Sequence, residues 1–180
     1  MSSTEPSTIR RYANDPYAAN QPDTGFRVEQ DAVYLILWDQ NLPDKFHWAI
    51  LVSLTDSFGL IYHQTLSGTE WKLVYETRNV ARSRTVLAAI KIGEIKGDIH
   101  EWIRQSKQCG RQTTVTNPAE LTCRTWVMAA VDDLDKAGLL DLSLDPMKLA
   151  DLEEEAKFHA VETRQTRLRR VITSVQFKGV

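Results

Sequence analysis

The chain has 180 residues, 42% apolar and 26% charged, with 22 basic side chains against 24 acidic ones and a formal net charge of −2. That length suits one domain, or one domain with a tail, and the composition excludes a wholly disordered or collagen-like chain. A balance so close to zero makes no electrostatic case for nucleic acid or an anionic membrane surface as the main partner.

Residues 1–28 are rich in Ser, Thr, Pro, Asn, Asp and Gln, without an apolar period. They read as a flexible N-terminal tail, leaving 29–180 as a single domain. The polar start shows no secretory leader, and no stretch approaches the roughly 18–20 apolar residues of a membrane span. Cys109 and Cys123 are too few for a disulfide framework and read as free thiols of a reducing compartment. A soluble, cytoplasmic protein is expected.

Order begins near residue 29. The apolar run 32–38 predicts a strand buried on both faces. A turn at 40–45 leads to a second strand over 46–54. The segment 55–59, with Gly59, predicts a hairpin loop. Strands follow at 60–65 and 71–76, then a polar loop over 78–84. Residues 86–92 read as a fifth strand, with a helix as the alternative. Asp98 is placed to cap a short helix reaching about residue 107. Cys123, Trp126, Val127, Ala130 and Leu134 recur at helical spacing, and Gly138 is a natural stop. Two starts are open for that helix, Asn117 before Pro118 or Thr122 before Cys123. Asp145-Pro146 opens a long last helix reaching about Ile172, acidic early and basic late, which complements its dipole. Antiparallel strands followed by packed helices make an α+β pattern.

Few side chains suit chemistry. The histidines are His47, His63, His100 and His159. Strand alternation puts His47 on the face of Ala49, Leu51 and Ser53. A hairpin centred near Ser57 sets Leu51 opposite about His63 and His47 opposite about residue 67, so the two imidazoles are offset by a few residues. A bulge or another register would bring them together. Cys123, if it opens a helix, feels the positive end of the dipole, which lowers a thiol pKa. Beside an imidazole it becomes an activated nucleophile. Taken alone, Cys123 reads as a small buried apolar residue and His47 as a half-buried, satisfied histidine. Gln64 and Glu76 are substitutes for His63 as a third member. A zinc site on His47, His63 and Cys123 is chemically allowed, without the ligand spacing of zinc motifs. Cys109 reads as an exposed thiol, and His100 and His159 as solvated. Segments 68–71 and 78–84 are expected near the site.

His47-Trp48-Ala49-Ile50-Leu51-Val52, then Tyr62-His63 after a hairpin loop, then Thr122-Cys123-Arg124-Thr125-Trp126-Val127 at a helix start, resemble the circularly permuted papain-like proteins. That superfamily includes the lecithin:retinol acyltransferase-like enzymes and the NlpC-type hydrolases. The resemblance implies a permuted papain-like fold with Cys123 as nucleophile, His47 as general base and then acid, and His63 orienting His47. It implies a cysteine hydrolase or acyltransferase acting on an amide, ester or thioester through a thioester on Cys123. The oxyanion would rest on the Cys123 backbone N–H, with Lys45 as a side-chain candidate. The expected partner is a small-molecule or peptide acyl substrate, with no cofactor and no metal. The alternatives are a non-catalytic interaction module of the same fold, suggested by Thr122 where relatives often carry Asn, and a peptidase of ubiquitin-like proteins.

Overall fold

The computed structural model describes residues 21–105 and 121–178. Its sheet grows outwards from β1 (Ala32–Leu42), whose first six residues are all buried, as in a strand covered on both faces. β1 pairs antiparallel with β2 (Lys45–Ser53) on one side and β5 (Val86–Glu94) on the other. Beyond β2 lie β3 (Phe58–Ser67) and β4 (Glu70–Asn79), also antiparallel. Then come α1 (Ile99–Gln105), α2 (Cys123–Lys136) and α3 (Pro146–Thr166). β6 (Arg170–Thr173) lies parallel to β5. The described residues thus form an α+β arrangement of three helices and one mixed sheet, ordered β4-β3-β2-β1-β5-β6.

Alternation along the strands divides the apolar side chains into two cores. Phe46, Trp48, Ile50 and Tyr62 face the helices and meet Trp126 and Val127 of α2, while Leu152 and Ala156 of α3 complete that core. Ala49, Leu51 and Ile61 face the other way, towards Phe26, Val28 and Val80. Each large side chain so buried contributes about 1.5–3 kcal/mol.

The second core takes in the end of the polar segment 1–28. Residues 21–28 run along the sheet, tied by the Thr24 N–H to Ala81 O at 2.8 Å and the Val28 N–H to Asp56 O at 2.9 Å. Phe26 and Val28 are buried there, because an apolar sheet face needs a cover. Residues 1–20 lie outside the described residues, as does Cys109.

The last helix stops at Thr166, not near Ile172. Arg167 adopts a left-handed φ of 63°, and its N–H donates to Thr163 O at 2.7 Å. The chain then turns, and Val171, Ile172 and Thr173 pair with Ala89, Ile90 and Lys91. These β-branched residues suit a pleated edge better than a helix. The basic run that suggested a longer helix therefore spans a helix end, a turn and a strand. Residues 86–94 are strand, settling the alternative of a helix there. α2 ends as expected, with Gly138 at φ 73° and the Leu139 N–H on Leu134 O at 3.0 Å.

Candidate functional site

The ladder between β2 and β3 runs from Ser53↔Gly59 to Ile50↔Tyr62. Continuing that register puts His47 opposite Thr65, nearer His63 than a turn centred on Ser57 allows. The two imidazoles become diagonal neighbours, within reach for ring side chains. His47 Nε2 lies 2.7 Å from His63 Nδ1, with the rings at 86° to each other. Both project from the sheet face that bears Ala49, Leu51 and Ile61.

A contact between two ring nitrogens needs one donor and one acceptor. Glu76 decides which. Its Oε1 stands 3.4 Å from His63 Nε2 without completing a hydrogen bond, and it also accepts from Arg78 Nη2 at 2.7 Å. A carboxylate at that range favours N–H over a lone pair on His63 Nε2. His63 Nδ1 is then the acceptor, His47 Nε2 the donor, and His47 Nδ1 carries no proton. This tautomer is assigned from the network. His47 Nδ1 has no hydrogen-bond partner among the described residues. Burial, and after it the charge of His63, lowers the His47 pKa to about 4. Burial also lowers that of His63, against the pull of Glu76. At neutral pH the pair is therefore uncharged.

A cavity of about 360 Å³ lies against this pair. Trp38, Ile61 and Val80 form its apolar wall, and the Trp38 ring centroid is 6.0 Å from that of His47. Arg78, Arg82 and Arg84 supply its cationic wall. Most of the segment 78–84 lines this cavity. Val80 N–H donates to Ser57 O at 2.8 Å, and Val86 N–H to Ser83 Oγ at 3.2 Å, so this loop is pinned at both ends.

Cys123 is elsewhere. It is the first residue of α2, directly after the N-cap Thr122, which resolves the two open starts in favour of Thr122 for this helix. Asn117 lies outside the described residues. Thr125 N–H donates to Thr122 Oγ1 at 3.2 Å, and Thr122 N–H donates to Thr125 Oγ1 at 2.9 Å. The thiol packs in the helix-side core with Phe46 and Trp48, its Sγ 4.0 Å from Phe46 O. No hydrogen bond joins it to either imidazole. Burial raises its pKa, although the backbone N–H groups of Trp48 and Arg124 pull the other way. The structure brings His47 and His63 together and sets Cys123 on the opposite face of the sheet. The reason is alternation: Phe46 and Trp48 point to the helices, so His47 between them points away.

Lys45, the oxyanion candidate, is exposed at the start of β2, and its carbonyl accepts from Arg164 Nη2 at 3.0 Å. Alternation gives it the face of His47 rather than that of Cys123. Gln64 is buried with Oε1 unpartnered, so Glu76 is the substitute that reaches the pair. His100, expected to be solvated, is half-buried, its Nδ1 2.6 Å from the Tyr62 hydroxyl. His159 is half-buried beside Glu162, with Nδ1 3.7 Å from Oε2. No cluster of three His, Cys, Asp or Glu among the described residues could hold a metal ion. Trp38 was not singled out in the sequence, yet β1 pairs it with His47. Arg82 and Arg84 read only as loop polarity.

These features define an α+β domain with a neutral imidazole pair beside an arginine-walled cavity. The chain belongs to a family of unknown function, DUF6540, whose family model matches residues 33–141. That span holds β1 from Val33 onwards, β2 to β5, both paired histidines and Cys123. No curated protein and no solved structure matches the chain.

Proposed function

We propose that this domain binds a small molecule in the cavity beside His47 and His63 without forming a covalent intermediate. It is the non-catalytic module of the sequence-based alternatives, with its binding site specified. The observation that carries it is the 2.7 Å imidazole contact at the wall of a cavity large enough for a metabolite-sized ligand. Two imidazoles cost desolvation energy that an apolar pair would not, and a bound partner for His47 Nδ1 gives them a use. The test is fragment screening by imidazole ¹⁵N–¹H correlation spectra. Binders are expected to move the His47 and His63 signals and to be lost in the His47→Phe, His63→Phe double variant, which exchanges both partners for apolar rings and keeps the fold. Binders that leave both imidazole signals unmoved and persist in that variant overturn the reading.

The second reading is a cysteine-dependent hydrolase or acyltransferase of permuted papain-like layout. It is favoured by the chain order of histidine strand, histidine strand and cysteine helix, with Cys123 directly under a capped helix start. It requires the thiol to reach His47 past β2, at the seam where the β2–β3 ladder has ended. Under the binding reading, iodoacetamide labels Cys123 slowly in the native protein, and intact mass shows no acyl adduct after incubation with acyl donors. Rapid labelling that His47→Gln abolishes, with an adduct on Cys123, would replace the first reading by the second.

A further inference from the structure

We propose that a second copy of this chain docks on the outer edge of β4, the two β4 strands running antiparallel about a two-fold axis at Val74. Among the described residues β4 closes one side of the sheet, and it is ten residues long, against four for β6 at the other side. Its ladder with β3 runs unbroken from Phe58↔Asn79 to Ser67↔Glu70. It therefore has neither the bulge nor the proline that commonly keeps an edge strand from pairing. The direction of its open backbone groups follows from the turn. Residues 68–69, with Gly68 at φ 64°, make a two-residue hairpin loop, which closes on a hydrogen-bonded pair, Ser67 with Glu70. By alternation 72, 74 and 76 also bond to β3, and Trp71, Leu73, Tyr75 and Thr77 turn their N–H and C=O groups outwards. No other segment among the described residues meets these groups. Two-fold pairing must set outward groups against outward groups, which allows only registers centred on a residue. Centred on Val74, Leu73 lies opposite Tyr75 of the second copy, Trp71 opposite Thr77, and Lys72 opposite Glu76. Lys72 is exposed and makes no hydrogen bond or ion pair among the described residues. Glu76 engages Arg78 through Oε1, which leaves Oε2 for an incoming ammonium. Tyr75, 54% exposed, gains an apolar cover from Leu73. The neighbouring registers lose the match. Centred on Leu73, Lys72 faces Val74; centred on Tyr75, Lys72 faces Arg78; centred on Lys72 or Glu76, that residue faces its own copy. Charge thus selects one register.

Sedimentation velocity on the full chain is expected to show a concentration-dependent equilibrium of monomer and dimer. Lys72→Glu turns two symmetry-related attractions into repulsions, and it is expected to weaken the dimer about tenfold at an unchanged urea midpoint. Val74→Cys sets two thiols across the axis, in a non-hydrogen-bonded pair whose Cα atoms lie about 4.5 Å apart, a span that a disulfide accepts. Mild oxidation is expected to link position 74 of one copy to position 74 of the other, and Lys72→Cys is expected to form no such link at position 72. A dimer indifferent to Lys72→Glu, or one without the link at 74, overturns the β4 interface. A chain that stays monomeric at every concentration overturns the proposal as well, and amide exchange at Trp71, Leu73, Tyr75 and Thr77 then identifies the occupant: slow exchange means that a segment of the same chain covers the edge, fast exchange that nothing does.

Discussion

Burial holds His47 and His63 neutral, and that has a consequence for pH. Unfolded, His47 titrates near its ordinary 6.5; folded, its burial and the neighbouring ring bring it to about 4. Between those values the unfolded chain binds the extra proton, so stability rises with pH across the window. The contribution is complete above 6.5 and is lost as pH falls towards 4. His63 and His100, both lowered by burial, act in the same direction. Urea midpoints at about pH 7, 5.5 and 4.5 are expected to fall in that order, and to fall less in the His47→Phe, His63→Phe variant. Glu76→Gln removes the charge that holds the His63 pKa up, so NMR titration of the imidazoles should show His63 protonating at lower pH than in the parent. At this scale the sequence was informative about identity and silent about grouping. Alternation alone identifies which residues share the face of His47. It does not say on which side of the sheet α2 packs, so Cys123 could be drawn beside the imidazoles until the packing was known.

Secondary structure followed local signals where those signals were strong. The unbroken apolar run beginning at Ala32 makes a strand covered on both faces, and Gly138 with its positive φ closes α2 where expected. Thr122 is a local signal that competed with Asn117, and its reciprocal bonds with Thr125 show why it suffices to start α2. Thr122→Ala is expected to cost about 1 kcal/mol and Thr122→Ser far less, because serine restores the accepting oxygen. Urea denaturation of the two variants measures both. β6 was not legible. Its four residues pair parallel with β5 across a long connection that carries α1, α2 and α3, and no four-residue window announces a partner so far away in sequence. Charge misled as well: Arg167, Arg169 and Arg170 suit the end of a helix dipole, yet the backbone had turned at Arg167.

The whole molecule is a sheet with two apolar faces and two different covers. Helices α2 and α3 cover one, and residues 21–28 with the segment after β4 cover the other. Phe26 closes the second core from a stretch whose composition reads as tail. Phe26→Ala is expected to cost about 3 kcal/mol, as for a buried ring whose site collapses only in part. A thermal or urea unfolding curve within about 0.5 kcal/mol of the parent, the range of surface substitutions, would show that the segment does not cover the sheet. The sequence by itself determined the strand run, the two later helices, the α+β order and the side chains able to do chemistry, because periodicity, caps and turn residues act over a few positions. Only the tertiary structure decided which of those side chains meet. The β2–β3 register joined His47 to His63, and the choice of face for α2 separated them from Cys123. Both depend on how distant surfaces share the burial of one sheet, a sum over the whole chain that no short stretch of it contains.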